Sequence, residues 1–340
     1  MPLQDTYILG IESSCDDTAA AVIHNDVVLS NVVANQEIHR AYGGVVPELA
    51  SRAHQQNIVP VVDQALRKAN IDKKQLSAIA FTQGPGLMGS LLVGTSFAKS
   101  LSQGLDIPLL GVNHMQAHIL AHFIKDPAQR APEFPFIALT ISGGHTQIVR
   151  VDDYFDLTVL GETLDDAVGE AFDKSAKIMG LPYPGGPLVD RYAKEGNPLA
   201  YHFTKPKVGD LEFSFSGLKT AILYFIQKET QANPKFLETA LPDVCASIQY
   251  TIVSYLMDKL HNAVAQTGIN RVAIGGGVSA NSGIRAALNE VQKTHGWDTF
   301  IPKFDYCTDN AAMIAMVGSL MHQYGAHTPV TATALARLKL

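Results

Sequence analysis

Cysteine is scarce. The three residues Cys15, Cys245 and Cys307 are too few and too scattered for a disulfide framework or a C-x-x-C site. The opening residues lack the basic segment and apolar run of a signal peptide. Long hydrophobic runs are missing too: Phe134–Ile141 falls far short of the ~20 residues that span a bilayer. Positive charge is not in surplus, because the net charge is −6. A nucleic-acid partner must therefore meet a local patch. Lys174/Lys177 and Lys205/Lys207/Lys219 are candidates, although each reads more simply as a solvated face. These absences predict a cytoplasmic chain with no membrane association. No G-x-x-x-x-G-K-[ST] loop occurs, and no clean G-x-G-x-x-G opens a strand–helix unit.

What is present is ample core material. Of the 340 residues, 46% are hydrophobic and 17% charged, which predicts one large or two ordinary folded domains without disorder. Tyr7–Glu12 reads as a buried strand, and Thr18–His24 and Val27–Val33 as two more joined by an Asn25-Asp26 hairpin turn. Pro47–Asn70 has helical periodicity, with Pro60 a kink point. Ala78–Thr82 is a strand, Leu91–Gln103 a helix, and Leu109–Val112 a strand running into a helix from Asn113. The pattern then restarts. Phe136–Ile141 and Thr146–Val151 read as strands around Ser142–His145, about 130 residues after the first hairpin. Both segments read apolar strand, small polar turn, apolar strand, which suggests an internal duplication. Helices follow over Asp165–Met179, Phe215–Glu229, Pro234–Thr267, Ser279–Gln292 and Asp309–His322, with a strand at Arg271–Ile274. This alternation predicts an α/β protein of two lobes, 1–128 and 129–340, joined near Asp126–Pro135, with the last helix able to pack back on the first lobe.

Three Gly/Ser-rich turns follow buried strands: Ser13–Asp17, Ser142–His145 and Gly275–Asn281. Such turns cluster backbone N–H groups and can bind phosphate, or they can merely satisfy turn geometry. His114-Met-Gln-Ala-His118 sets two imidazoles at i and i+4 on one helix face, a spacing suited to metal. It is equally a row of polar histidines. His122 continues the row, rotated by about 80°. Met115 replaces the Glu of a zincin, so a metalloprotease lacks its general base. Asp309 is a candidate third, anionic ligand. Asp166, Glu170 and Asp173 share a helix face at spacings of four and three, either solvated or lining a cleft in which Asp173 binds ribose hydroxyls.

Taken together, Gly10–Thr18, Tyr42–His54, Gly84–Leu87, His114–His118, Ser142–Gln147, Gly169–Lys174, Tyr183–Pro187, Phe213–Lys219, Gly275–Asn281 and Asp309–Met313 resemble the TsaD family, formerly described as O-sialoglycoprotein endopeptidases. The resemblance covers nearly the whole chain. It implies a two-lobed, duplicated actin-like ATPase (ASKHA, RNase H-like) fold. It implies transfer of a threonylcarbamoyl group from threonylcarbamoyl-AMP to N6 of the adenosine 3′ of the anticodon, in tRNAs reading ANN codons, with release of AMP. By motif match, His114, His118 and Asp309 are expected to ligate Fe2+ or Zn2+. Thr140, Ile141, Ser142, Gly143 and Gly144 are expected to form the substrate loop, and Asp173, Gly186, Asp190 and Asn281 to hold the nucleoside. His122 is no ligand in the family pattern. A TsaB-like paralogue and a TsaE-like ATPase are the implied partners, and the apolar, small-residue-rich stretch Leu87–Gln103 could present a helix to one of them.

The donor is a mixed carbamic–phosphoric anhydride, so a metal and backbone N–H groups suit its developing charge. Glu12, Asp16 and Asp17 are expected where a tRNA amine approaches, with Asp16 the candidate base. Three other classes stay open from motifs alone: a sugar kinase or other phosphotransferase, a metalloprotease, and a chaperone-like ATPase scaffold.

Overall fold

β1 (Tyr7–Glu12) is apolar on both faces, and a strand of that kind has to be covered twice. The computed structural model, which describes residues 5–35, 39 and 42–340, places it at the centre of a five-stranded sheet. β2 (Thr18–His24) pairs antiparallel with β1, and β3 (Val27–Ala34) pairs antiparallel with β2. Asn25 and Asp26 turn that hairpin with φ of 45° and 70°, the left-handed pair that a two-residue hairpin needs. β4 (Ala78–Gly84) lies parallel to β1, and β5 (Leu109–Asn113) parallel to β4. The sheet order is β3-β2-β1-β4-β5.

One face of this sheet is covered by α1 (Pro47–Ala69) and α2 (Met88–Leu105) through Leu9, Ile11, Val22, Ile58, Val62, Phe81 and Ala98. Pro60 sits inside α1, which runs unbroken through it. The short α3 (His114–Leu120) follows β5 directly. The other face is covered by α9 (Ala311–Gln323), which packs on β1, β2 and β4 and is buried from Ala311 to Leu320. Small residues permit that approach. A Cβ on Gly10 would meet Ala311 O at 2.4 Å and Ala315 N at 2.6 Å, and one on Gly318 would meet Ala80 Cβ at 2.4 Å.

A second sheet repeats the plan. β6 (Phe136–Ile141), β7 (Thr146–Asp153) and β8 (Asp156–Glu162) form an antiparallel meander. β9 (Arg271–Gly275) joins parallel to β6, and β10 (Asp298–Phe300) parallel to β9. Its order, read from the other edge as β8-β7-β6-β9-β10, is the first sheet's order strand for strand. The duplication suggested by two hairpins therefore extends through all five strands. α4 (Val168–Ile178), α5 (Gly186–Ala193), α6 (Ser216–Ala232), α7 (Phe236–Thr267) and α8 (Ser282–His295) complete this part. Its core includes Leu139, Phe172, Phe213, Phe215, Ile248 and Leu256.

The compact units are Met1–Pro132 with Pro302–Leu340, and Glu133–Ile301. Residues 302–340, grouped by sequence with the second lobe but with the last helix able to pack back on the first, belong to the first unit. The reason is α9, an almost wholly apolar helix whose burial surface is the face of β1 left open by α1 and α2. Two further boundaries move. Residues 165–167 precede α4, so Asp166 does not share a helix face with Glu170 and Asp173. Asp309 precedes α9, whose N-cap is Asn310, accepting from Met313 N at 3.1 Å. No described helix is long and apolar enough to cross a membrane.

Candidate functional site

In the first unit β1, β4 and β5 are parallel, so their carboxyl ends lie at one edge of the sheet. That edge is where open α/β sheets bind ligands. Glu12 ends β1, and Asn113 ends β5 and caps α3. Asn113 Oδ1 accepts from Met115 N and Gln116 N at 2.9 and 3.2 Å, while its Nδ2 donates to Lys339 O at 3.0 Å. The cap fixes the first turn of α3, which carries His114, and the i,i+4 spacing brings His118 to the same face.

His114 Nε2 and His118 Nε2 lie 3.2 Å apart. Asp309 Oδ1 is 3.5 Å from the first and 3.3 Å from the second. Among the described residues these three form the one cluster of potential metal ligands, and His122, buried in the adjoining 3-10 turn, does not join it. Ligands bound at ~2.0–2.1 Å with tetrahedral angles stand roughly 3.3 Å apart, so the separations fit a single ion. The donor set, two imidazoles and a carboxylate, also suits Fe2+ or Zn2+. Three lone pairs facing one another at this distance need a proton or a cation between them. Both His rings are buried, while Asp309 keeps 26% of its side-chain surface exposed, leaving an approach for an exogenous ligand.

The electrostatics follow. Burial favours neutral His114, but Glu12 and Asp309 outweigh it and hold its pKa well above the usual value. Burial pushes His118 down, with the charge of His114 adding to it. Burial would raise Asp309, yet the two histidines keep it ionised far below the usual carboxylate range. Glu12 behaves likewise beside His114.

The turn after β1 is braced from three sides. Glu12 Oε1 accepts from Ser14 N at 2.5 Å, Leu87 N donates to Ser14 O at 2.7 Å, and His54 bridges Thr18 Oγ1 (2.7 Å) and Cys15 O (3.0 Å). Asp16 and Asp17 are half-buried on this turn. Burial, then the charges of Asp16, Asp309 and Glu12, pushes Asp17 up to about 7. Glu12 does not lie where a substrate amine approaches, because it is 0% exposed. Cys15 is no nucleophile: burial, then the Asp16 and Asp309 charges, pushes its thiol far up.

In the second unit β6 and β9 are neighbours, so their carboxyl-terminal turns meet. A Cβ on Gly276 (φ +88°) would strike Ile141 O at 2.5 Å. The turns open on a cavity of about 270 Å³ lined by Gly143, Asp173, Gly186, Asp190, Gly277 and Asn281, among others. Side chains added at Gly143, Gly144 or Gly277 would meet nothing within 4 Å, so these glycines leave room rather than relieve crowding. Asp173 Oδ1 accepts from Gly185 N (2.8 Å) and Gly186 N (2.9 Å), and burial raises its pKa. Asp190 Oδ1 accepts from Ser282 N and Oγ, and Asn281 Nδ2 donates to Gln249 Oε1 at 2.8 Å. Ser142 accepts from His145 N and presents a half-buried hydroxyl. Thr140 and Ile141 are 0% exposed, so of the expected substrate loop only Ser142, Gly143 and Gly144 reach the surface.

The lysines marked as patches are largely compensated. Lys174 pairs with Asp166 and Glu170, Lys219 with Asp166, and Lys205 with Asp258. His54, Thr82 and Asn113 went unrecognised by spacing, and Glu12 was placed beside the substrate amine instead of beside His114. For Glu12 a signal existed, since a charge closing an otherwise apolar buried strand requires a buried partner.

With this geometry in place, similarity to known proteins is informative. The TsaD family profile, described as tRNA N6-adenosine threonylcarbamoyltransferase, matches residues 27–316. The chain is 69% identical over 321 residues to the Christiangramia forsetii protein of that name, covering 94% of each chain. It is 57% identical to the Riemerella anatipestifer protein of the same name over 99% of each. Among solved structures, T. kodakarensis HypF superposes with a TM-score of 0.59 at 15% identity, over 98% of this chain and 49% of that one. Acidaminococcus fermentans (R)-2-hydroxyglutaryl-CoA dehydratase component A superposes with a TM-score of 0.53 at 14% identity, over 93% and 97%. These two share the duplicated α/β, actin-like ATPase fold, while the closer sequence relatives decide the family: this chain is a member of the TsaD family of tRNA N6-adenosine threonylcarbamoyltransferases.

Proposed function

We propose that this chain transfers a threonylcarbamoyl group from threonylcarbamoyl-AMP to N6 of the adenosine 3′ of the anticodon in tRNAs reading ANN codons, releasing AMP. The observation that carries the reading is the His114–His118–Asp309 triad at the carboxyl ends of β1, β4 and β5, in a chain with 69% identity to a protein of that name. His114, His118 and Asp309 would hold one Fe2+ or Zn2+. When bound, the ion would polarise the anhydride oxygens and orient the donor.

The remaining chemistry belongs to side chains and backbone. Asp173 and Asp190 are acceptors suited to ribose hydroxyls, with Gly186 and Asn281 shaping the same cavity. In the turn entered from Thr140 and Ile141, Ser142 N already donates to His145 O, and Gly143 and Gly144 offer backbone N–H groups to an oxyanion or phosphate. Adenine N6 is a weak nucleophile, so a carboxylate must take its proton during attack. Asp16 or its neighbour Asp17 does so, and a group near pH 7, as Asp17 is, both accepts and releases a proton readily.

The net charge of −6 and the paired lysines leave little free positive charge for tRNA. The reading therefore includes a TsaB-like paralogue and a TsaE-like ATPase, in the cytoplasm. Met88 and Leu92, 46% and 48% exposed on α2, favour this helix as a docking surface. The test incubates the purified chain, partners, tRNA and threonylcarbamoyl-AMP, then measures nucleosides by mass spectrometry. Threonylcarbamoyladenosine and stoichiometric AMP are expected. No modified adenosine from the complete mixture would overturn the reading.

A further inference from the structure

Glu12 has three partners and no solvent. It is 0% exposed, and its Oε1 accepts from Ser14 N. Its Oε2 accepts from Thr82 Oγ1 at 2.6 Å and faces His114 Nδ1 at 2.9 Å. Buried at the end of an apolar strand, it cannot touch a substrate. We propose that Glu12 is the positioning residue of the metal site, holding the proton of His114 on Nδ1 so that the Nε2 lone pair faces His118 and Asp309. The inference rests on the metal reading above and deepens it.

Each neighbour of Glu12 other than a histidine is a donor. A backbone N–H can only donate, and Thr82 donates to Oε2, so two of the three contacts bring a hydrogen and the ionised carboxylate has none to give. In that company His114 Nδ1 must carry hydrogen, which leaves Nε2 as the acceptor or ligand atom. The second histidine has no such partner. His118 Nδ1 is buried and bonded to nothing among the described residues. The two rings are thus not equivalent: His114 is orientated by a buried carboxylate, and His118 by packing.

Glutamine separates this role from mere bracing of the turn. A glutamine at position 12 can keep its oxygen on Ser14 N, which sets its NH2 against His114 Nδ1. The ring then has to accept at Nδ1 and carry its proton on Nε2, closing the lone pair to metal. If the amide flips instead, NH2 meets the Ser14 N–H and the turn is broken. A purely structural Glu12 would tolerate the first arrangement.

The experiment compares Zn2+ affinity of the full-length wild type, Glu12→Gln and His118→Ala by competition with a chromophoric chelator. Long-range 1H–15N spectra of the imidazoles accompany it. Glu12→Gln is expected to stay folded, to bind Zn2+ roughly 10- to 100-fold more weakly, and to move the His114 proton to Nε2 in the metal-free protein at high pH. Zn2+ affinity within about twofold of wild type, with Nδ1 still protonated, overturns the inference alone. If wild type and His118→Ala bind Zn2+ equally weakly, the metal reading falls, and the inference with it. Should Glu12→Gln not fold, the Zn2+-loaded wild type decides: His114 protonated on Nδ1 supports the role, and His114 ligating through Nδ1 refutes it.

Discussion

Gly10→Ala should loosen both the fold and the metal site. The added Cβ would sit 2.4 Å from Ala311 O, 2.6 Å from Ala315 N and 2.8 Å from Ala315 Cβ. Two of these are backbone atoms of α9, so no side-chain rotation relieves them. Reaching ordinary contact at 3.4 Å requires α9 to retreat from β1 by about 1 Å, and overpacking of this kind costs about 1–3 kcal/mol. At roughly 2–4 °C per kcal/mol for a unit of this size, the melting temperature falls by about 2–12 °C. Asp309 immediately precedes the capped start of α9, so the helix carries it away from His114 and His118. Metal affinity should fall about 10-fold or more, the scale on which lost support of a ligand is felt. The matched control is Gly104→Ala near the end of α2, where a Cβ meets nothing within 4 Å. There the same substitution should stabilise by about 0.4–1 kcal/mol, because alanine restricts the unfolded chain. Calorimetry and chelator competition on the three proteins measure both effects. A Gly10→Ala protein that melts with wild type and binds metal equally well would refute the packing reasoning.

Further outcomes follow from the site. Asp17 has a raised folded pKa of about 7 against an ordinary 3.8, so the unfolded chain releases this proton first and stability declines from about pH 4 to pH 7. Asp17→Asn should therefore gain in melting temperature over wild type as pH rises through that window, and parallel curves would refute the shift. In metal-free protein the His114 contribution has the opposite setting: its raised pKa makes the stabilisation complete below 6.5 and lost as pH climbs through the folded value. The gap in melting temperature between metal-loaded and metal-free protein should accordingly widen with alkaline pH, since the ion replaces that proton. Asp173→Asn should weaken AMP binding by about 10- to 100-fold in calorimetric titration, the loss expected for hydrogen bonds to a charged group, with little change in melting temperature.

Much of the chemistry was legible locally. An i,i+4 histidine pair on a helix lies on one face wherever the helix sits, and a glycine-rich turn after a buried strand leaves room wherever the strand ends. The Asn25-Asp26 turn also followed from residue type, because short polar side chains tolerate positive φ. Motif resemblance extended this to the family. β8, β10 and α5 were not read, since short or half-exposed segments such as Asp156–Glu162 carry weak periodicity. For 302–340 the sequence left the last helix able to pack back on the first lobe but could not choose between lobes: an apolar helix announces that it will be buried, not by which sheet. By itself, then, the sequence determined which side chains could ligate and which turns could cradle a ligand, because spacing and residue chemistry are local properties. Tertiary structure alone decided that Asp309 meets the histidines, that Glu12 faces His114 instead of solvent, and that Asp17 titrates near neutrality. Each of those depends on distance and burial between segments far apart in the chain.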